Sequence, residues 1–384
     1  MPVFVGTGSD DFEAKSDRIG LPVETTDPAS PSTGDAYFNS TDGVIKVYDG
    51  TSWNPVGGSL PQFNIDDGFR VESYTGNGGT QTFFTDMDTT TDCFVWIRND
   101  GQRGAKMFST SWGNNEMFQS QNGAADPVNY ANTVTFTSSG IQLGSSTNTN
   151  NNGTSYKIYI WKKTQGLFDM VTWTGDGVNG RTISHNLGAR PKMIWFFSHA
   201  GTGSNSYGFH AYFHHAAPST MYGLTGGGQF YTSSYWDWKM ATPTEFYVSN
   251  LGQVNQSGIS YTAFIWGGSE DDPEYPIKCG VYAGNNSSTQ AFTLDISTKA
   301  PMLFMTKSMN GGQNITCNFA DKEQGFTSTN WSFDNVGGIN LSGAVDFTST
   351  PGKITVSTND TFYNIGPLNS QSGRMFYMYV DDPT

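Results

Sequence analysis

The chain has 384 residues, of which 14% are charged, and its formal net charge is −14. Glycine (46 residues) and aromatic residues (14%) are abundant, whereas residues that favour helices are scarce. This composition predicts an all-β protein and argues against a helical bundle or a nucleotide-binding α/β enzyme. The acidic balance argues against binding to nucleic acid, and no apolar stretch is long enough for membrane insertion.

Targeting signals and cysteine usage indicate where the chain is made. The N-terminus lacks the basic and apolar regions of a signal peptide. Cys93, Cys279 and Cys317 are an odd number at scattered spacings, which is not a disulfide framework. We therefore expect buried free thiols in a protein made in the cytosol.

Residues 1–58 form a distinct N-terminal piece. A linker rich in Pro, Ser and Thr occupies residues 24–34. Two Asp-Gly pairs, at 42–43 and 49–50, then separate three short apolar runs, which predicts a small three-stranded meander. Such a sheet is too small to bury much apolar surface alone, so we expect it to pack on a neighbour.

The rest of the chain repeats three times, at residues 59–164, 165–270 and 271–384. Each repeat begins with a strand that ends in an aromatic residue (Tyr74, Trp173 or Tyr282) and a glycine turn. A second aromatic follows 22 residues later, at Trp96, Trp195 and Phe304. Alternating closing strands occupy residues 156–161, 261–266 and 375–380. A unit of about 100 residues with several short strands predicts a β-sandwich, so we expect three in tandem.

The N-terminal piece resembles a short module of virion proteins from tailed bacteriophages. A Pro-rich linker precedes the pattern G-D-x-Y-F-N and then V-Y-D-G-x-x-W. The matching residues are Gly34, Asp35, Tyr37, Phe38, Asn39, Val47, Tyr48, Asp49, Gly50 and Trp53. In the middle repeat, ISHNLG at 183–188 and PKMI at 191–194 are similar to a repeated β domain in structural proteins of marine and cyanobacterial phages.

This resemblance implies a tail fibre or similar virion appendage, assembled in the host cytoplasm and then carried on the particle. Its N-terminal piece would dock on other virion proteins, such as a tail or baseplate adaptor, with Tyr37, Phe38, Tyr48 and Trp53 as candidate anchor residues. The distal repeats would contact a host cell-surface glycan or protein without covalent chemistry. The family, and strand edges that an oligomer could cover, imply a homotrimer.

Three polar loops, at residues 144–155, 250–260 and 364–373, precede the closing strands. Loops at one end of a sandwich are common recognition sites, although they can also be plain solvated hairpin ends. An aromatic cluster at 231–238 could stack on sugars, although its rings could equally belong to the core. The candidate receptor-contact residues are Tyr235, Trp236, Trp238, Asn150, Asn151, Asn152, Gln253, Asn255, Asn369 and Gln371.

Metal binding and catalysis have little support in the sequence. All five histidines lie in the middle repeat, and His210 and His214 would share a strand face, which makes them weak metal candidates. No recognised catalytic or phosphate-binding motif occurs, so we expect no enzyme activity and no cofactor. The alternatives are a capsid decoration protein or head fibre, a tail connector without a receptor and, more distantly, a polysaccharide depolymerase.

Overall fold

The computed structural model describes the chain in two compact units, Met1–Gln62 and Phe63–Thr384. Within them, the described residues are 14–15, 18–19, 21–41, 44–56, 65–99, 106–119, 128–199, 209–213, 220–223, 230–232, 241–252, 254–268, 275–283, 289–293, 302–308, 317–321, 331–332, 345–346, 353–357 and 374–380. The predicted all-β fold is confirmed. The predicted repeat boundaries after residues 164 and 270 stay predictions, and we call the three stretches the first, second and third segments.

The N-terminal unit contains the predicted meander within a four-stranded sheet. The strands of this unit are β1 (Ala14–Lys15), β2 (Arg18–Ile19), β3 (Val23–Glu24), β4 (Ala36–Asn39), β5 (Val44–Tyr48) and β6 (Trp53–Val56). Strands β1 and β2 pair with each other, and β3 to β6 form the four-stranded sheet. Strands β4, β5 and β6 pair antiparallel, and β3 adds a parallel pair to β4. The predicted linker also contacts this sheet, because the indole of Trp53 donates a hydrogen bond to the carbonyl of Pro28 at 3.1 Å.

Nearly all of the secondary structure described in the larger unit is β-strand. The first segment contains α1 (Ile65–Gly68), β7 (Phe69–Thr75), β8 (Gln81–Phe83), β9 (Cys93–Asn99), β10 (Lys106–Ser109), β11 (Glu116–Gln119), β12 (Val128–Asn129), β13 (Val134–Thr137), β14 (Gly140–Leu143), α2 (Thr147–Asn150) and β15 (Ser155–Lys162). The second contains β16 (Phe168–Thr174), β17 (Arg181–Ser184), β18 (Met193–His199), β19 (Phe209–Phe213), β20 (Thr220–Gly223), β21 (Phe230–Thr232), β22 (Glu245–Val248) and β23 (Ser260–Trp266). The third contains β24 (Ile277–Ala283), β25 (Thr289–Thr293), β26 (Leu303–Ser308), β27 (Cys317–Asp321), β28 (Trp331–Ser332), β29 (Val345–Asp346), β30 (Lys353–Ser357) and β31 (Arg374–Val380).

Each segment contributes one large sheet and one small sheet. The large sheets have the orders β12-β11-β10-β9-β15-β7, β21-β20-β19-β18-β23-β16 and β28-β27-β26-β31-β24. The small sheets are β13-β14-β8, β17-β22 and β25-β30-β29. In every large sheet, the closing strand of the segment therefore lies between the segment's first strand and its third.

The strand register corrects one detail of the predicted repeat. Tyr159 of β15 lies opposite Trp96, and Phe264 of β23 lies opposite Trp195. The corresponding residue of β31, Met378, lies opposite Met305 and not Phe304. The third segment thus has one more residue between Tyr282 and the position equivalent to Trp96 than the first segment has. The equal spacing of 22 residues was therefore wrong in matching Phe304 with Trp96 and Trp195. A shift of one residue exchanges the two faces of a strand.

In the first two segments, a hydrophobic core fills the space between the large and the small sheet. Alternate residues of the large sheet point toward the small one because successive side chains of a strand alternate between faces. The first of these cores includes Tyr74, Val95 and Ile158, and the second includes Trp173, Ile194 and Ile265.

The opposite faces of the three large sheets meet in a second core, which we call the shared core. Phe94 of the first segment stacks on Phe264 of the second, with ring centroids 3.9 Å apart. Trp96 approaches its counterpart Trp195 at 5.7 Å. The third segment contributes six strand residues to the same cluster, namely Ile277, Cys279, Leu303, Met305, Met378 and Val380. Besides the cores between the sheets of its first two segments, the larger unit thus has one interior to which all three segments contribute.

The connections between segments gather at one end of the sheets, which we call the joint end. Residues 163–167 lead from β15 to β16, and the N–H of Gly267, which follows β23, donates to the carbonyl of Leu167 at 2.9 Å. The hydroxyl of Tyr275, just before β24, donates to the carbonyl of Gly166. A side chain on Gly68 would meet Thr164 and Leu167, which places the start of the first segment here too. The turns after β7 and β16 lie at the opposite end of their sheets, the loop end.

Candidate functional site

At the loop end, the first two segments each present a pair of turns held by one buried asparagine. We call residues 76–80 with 151–154 the first tip, and residues 175–180 with 256–259 the second tip. Asn150 precedes the closing strand of the first segment and is fully buried. Its amide nitrogen donates to the carbonyls of Gly79 at 2.8 Å and Gly144 at 2.9 Å, and its amide oxygen accepts the N–H of Asn77 at 2.9 Å. One side chain therefore ties the two turns of the first tip together.

Asn255 likewise ties the two turns of the second tip together and is also fully buried. Its amide nitrogen donates to the carboxylate of Asp176 at 2.8 Å and to the carbonyl of Val178 at 2.9 Å. Its amide oxygen accepts the N–H of Asp176 at 3.3 Å. The backbone carbonyls of Asn150 and Asn255 accept the N–H groups of Gly78 and Gly177, each at 2.9 Å.

Glycine and tyrosine complete the two tips. A side chain on Gly76 would collide with the carbonyl of Asn151, and one on Gly175 with the carbonyl of Gln256, so only glycine allows this close approach. The hydroxyl of Tyr156 accepts the N–H of Asn151 at 3.0 Å, and that of Tyr261 accepts the N–H of Gln256 at 2.9 Å. Both tips are therefore fixed by hydrogen bonds of buried side chains, and the exposed side chains of Asn77 and Asp176 accept some of these bonds.

The surfaces of the tips differ in chemistry. The first tip exposes Asn77, Asn151 and Asn152, which are neutral amides. The second exposes Asp176 and Val178, the latter at 56%. The N–H of Val178, then the amide of Asn255 and the charge of Arg181, hold the pKa of the Asp176 carboxyl below its usual range, so this carboxyl stays ionised. Among the described residues, the two tips thus expose hydrogen-bonding amides, the apolar side chain of Val178 and the negative charge of Asp176.

The structure separates the predicted contact residues into two groups. Asn151 and Asn152 are exposed, as a contact role requires. Asn150 and Asn255 are buried and fully engaged inside the tips, which corrects their assignment as receptor contacts: they position the loops instead. The remaining candidates lie outside the described residues, namely Tyr235, Trp236, Trp238, Gln253, Asn369 and Gln371.

Sequence reasoning took Asn150 and Asn255 as receptor contacts and placed a glycine turn after each first strand, but it missed that these residues fix the tips. A signal was present, because Asn150 and Asn255 each stand six residues before the tyrosine that starts the closing strand. Gly76 and Gly175 likewise stand two residues after the aromatic that ends the first strand. These paired spacings could have identified the four residues as structural.

His185 and His199 each have a structural hydrogen-bond partner. The Nδ1 atom of His185 accepts the N–H of Leu187 at 3.2 Å, and Nε2 lies 3.2 Å from the carbonyl of Thr242, to which it donates. Burial lowers the pKa of His185, which keeps it neutral. Nε2 of His199 lies 3.0 Å from the hydroxyl of Thr262, and burial lowers the pKa of His199 to about 4.

The weak metal candidates gain no support. His210 lies in β19, opposite Phe196, and His214 lies outside the described residues. Among the residues that the structure describes, no group of three or more His, Cys, Asp or Glu side chains could hold a metal ion.

The candidate anchor residues divide between the two faces of the N-terminal sheet. Trp53 packs against Tyr37 at 4.8 Å and against Tyr48 at 5.5 Å. The hydroxyl of Tyr37 donates to Asp27, whose pKa is lowered by hydrogen bonds from Lys46 and Tyr37. These three aromatics stabilise the sheet itself.

Phe38 belongs to the other face. It lies in register with Val23 on one side and Ile45 on the other. Val23 is 64% exposed and Ile45 is 37% exposed, so this face presents an apolar row.

Two of the three cysteines can be placed. Cys93 and Cys279 are buried free thiols, as predicted, and burial raises the pKa of Cys93 to about 12. The side chain of Cys317 is outside the described set. In the part of the chain that the structure describes, no helix is both long and apolar enough to cross a membrane.

Together, the paired sheets, the shared core and the rigid tips define an all-β protein of the β-sandwich class. Within that class, the chain belongs to the family described as a domain of unknown function (DUF7483), whose model matches residues 64–360. The match begins where the larger unit begins and ends before β31. No curated protein matches the chain.

Proposed function

We propose that the protein is a virion appendage of the tail-fibre type, which docks on the particle through its N-terminal unit and contacts the host surface through the loop end. The observation that carries this proposal is that the two ends of the larger unit differ. The first strands of the segments begin at the joint end, where the connections between segments also lie. The rigid, exposed tips lie at the opposite, loop end. This arrangement presents the tips away from the point where the chain enters the unit at Ile65.

The chemistry of the first tip favours a polar, uncharged partner such as a surface glycan. Asn77, Asn151 and Asn152 offer amide donors and acceptors that can pair with sugar hydroxyls. Because their backbone is held by Asn150, little conformational entropy is lost on binding. Single contacts of this kind are weak, and several identical arms on one particle raise the overall avidity.

Docking is assigned to the apolar row of Val23, Phe38 and Ile45. Exposed apolar rows on a small sheet are typical of surfaces that a partner covers. The proposed homotrimer would use surfaces other than the shared core, because residues of one chain already bury each other there. Light scattering of the purified full chain measures the number of copies directly.

The loop-end assignment is tested with charge substitutions. Asn152→Arg and Val178→Arg place bulky cations on the two tips, and Gln165→Arg adds the same side chain at an exposed position of the joint end. We expect the two tip variants to lose at least about tenfold in binding of the purified chain to host cells, and the joint-end control to bind normally. Equal binding by all three would contradict host contact at the loop end.

The docking face is tested in particles. Val23→Asp combined with Ile45→Asp should reduce incorporation of the chain into virions, measured by quantitative mass spectrometry. Val178→Asp is the matched control, since it also replaces an exposed apolar residue but lies at the loop end. Normal incorporation of the double variant would contradict docking through this row.

The position on the particle distinguishes the tail-fibre role from its alternatives. Immunogold labelling with antibodies to the larger unit should mark the tail. Label on the head would favour a capsid decoration protein or head fibre, and label on the tail with unchanged adsorption of the tip variants would favour a connector. Release of reducing sugar from host polysaccharide would indicate a depolymerase.

A further inference from the structure

The described loop end contains three Asn-Gly pairs, at 77–78, 152–153 and 179–180. Asn-Gly is chemically labile because the glycine nitrogen can attack the asparagine side chain without steric hindrance from a Cβ. All three glycines have a left-handed backbone, with φ of +67° at Gly78, +76° at Gly153 and +75° at Gly180. The φ angle of the glycine therefore does not distinguish the three pairs.

Hydrogen bonding does distinguish them. The N–H of Gly78 donates to the carbonyl of Asn150 at 2.9 Å, and the amide oxygen of Asn77 accepts the N–H of Gly79 at 2.8 Å. Both reacting groups of the first pair are therefore held. In the second pair, the N–H of Gly153 donates to the carbonyl of Gly76 at 2.8 Å, which holds the attacking nitrogen.

The third pair has neither restraint. Asn179 is exposed, and among the described residues no hydrogen bond is made by its side-chain amide or by the N–H of Gly180. Its neighbours are engaged instead: Asn255 binds Val178 on one side, and Arg181 binds the carbonyl of Thr174 on the other at 2.5 Å. The labile pair thus lies on a fixed tip, with its own reacting atoms free.

We propose that Asn179 is a site of spontaneous deamidation in the folded protein. The nitrogen of Gly180 attacks Cγ of Asn179, a new N–Cγ bond forms, and the Cγ–Nδ2 bond breaks. Ammonia leaves with the proton that the glycine nitrogen gives up. Water then opens the cyclic imide at either carbonyl and produces aspartate or isoaspartate at position 179.

The modification changes the chemistry of the second tip. It adds a carboxylate near Asp176, which is already ionised, and the isoaspartate form inserts an extra backbone carbon into the turn. The deamidation depends only on the residues of this loop and does not require that the loop end contact a host.

The test is incubation of the full chain at mildly alkaline pH, followed by peptide mass mapping and enzymatic isoaspartate labelling. We expect position 179 to convert about tenfold faster than positions 77 and 152, because at those positions a hydrogen bond to the attacking nitrogen must break first. Asn179→Ser should abolish isoaspartate labelling in the peptide that contains residue 179 and reduce the acidic species seen by ion exchange. In denaturant, the three sites should convert at similar rates.

Three results would overturn the proposal. Conversion at Asn77 or Asn152 as fast as at Asn179 would show that the hydrogen bonds do not protect. No conversion at Asn179 in the folded chain, with conversion in denaturant, would show that the turn itself blocks the attack. If the three positions ranked the same in denaturant as in the folded chain, the local sequence and not the fold would set their conversion rates.

Discussion

Two asparagines that look interchangeable in the sequence have opposite roles at the loop end. Asn150 is buried and binds Asn77, Gly79 and Gly144, whereas Asn152 is exposed and its side chain makes no hydrogen bond among the described residues. We expect Asn150→Ala to lower the free energy of unfolding by about 1–3 kcal/mol, because buried partners are left unsatisfied. Urea denaturation of the full chain measures the change.

Asn152→Ala is the matched control for this substitution. Since the residue is exposed, its change in unfolding free energy should stay within about 0.5 kcal/mol. If both alanine variants unfold at the same urea concentration as the parent chain, the tie between the two turns contributes nothing to stability.

His199 predicts a pH dependence of stability. Its pKa is lowered by burial to about 4 in the folded protein, against about 6.5 in an unfolded chain. Between these values the unfolded state binds more protons, so stability falls as pH drops from 6.5 to about 4. Above pH 6.5, this histidine contributes no pH dependence.

The variant His199→Gln separates this histidine from the other titrating groups. Glutamine can still pair with the hydroxyl of Thr262, which also accepts the indole N–H of Trp112 at 3.2 Å, but it does not titrate. The thermal midpoint of the parent chain should fall relative to the variant as pH decreases through the window. Parallel midpoints over the whole window would refute the assignment.

The candidate site was only partly predictable at this scale. Loop composition correctly indicated exposed amides at Asn151 and Asn152. It could not show that Asn150 and Asn255 turn inward, because an Asn-rich stretch gives no direction to individual side chains. That direction is set by backbone groups of the neighbouring turn, which are distant in sequence.

At the scale of strands, the alternation of apolar residues was enough to predict the all-β class and the closing strands. It was not enough to fix the register in the third segment. Phe304 matched Trp96 and Trp195 in spacing, yet Met305 occupies the equivalent place. Because β26 is apolar at three successive positions, 303–305, sequence alone could not tell which face each residue takes.

Strand β31 is predicted to be essential to the third segment, although it lies beyond the family match at 64–360. It pairs with β24 over residues 277–283 and with β26 over residues 303–308. A chain that ends at Asp360 would leave both partners without their shared neighbour and remove Met378 and Val380 from the shared core. We expect it to bind hydrophobic dyes and to unfold at a lower temperature.

The control for this truncation is a chain that ends at Val380, which keeps all of β31. It should match the full chain in thermal midpoint and dye binding. A chain ending at Asp360 that behaved like this control would show that the third large sheet does not need β31, the strand between β24 and β26.

At the scale of the molecule, the shared core is the feature that composition and repeats did not reveal. The sequence predicted aromatic residues inside each sandwich, and Tyr74 and Trp173 do lie there. Trp96 and Trp195 instead pack against each other across two segments. A repeat pattern shows which residues of the segments are equivalent. It does not show whether the equivalent sheet faces are exposed to solvent or pack against each other.

The shared core makes a prediction about the first segment in isolation. Expressed as residues 59–164, it would expose Phe94, Trp96 and Trp161, which are fully buried in the complete unit. An apolar surface of this kind drives association in water. We therefore expect residues 59–164 to aggregate or to bind hydrophobic dyes strongly, whereas residues 63–384 stay soluble, as measured by size-exclusion chromatography and dye fluorescence.

The same core should couple the segments during unfolding. Phe94→Ala removes the ring that stacks on Phe264 and leaves a cavity between two segments, a change that typically costs about 3–5 kcal/mol. Calorimetry should then show one transition of residues 63–384 moving to lower temperature as a whole, and amide exchange should speed up in β23 as well as in β9. A shift confined to the first segment, or a folded and monomeric 59–164, would mean that the three segments are independent domains whose contact is incidental to stability.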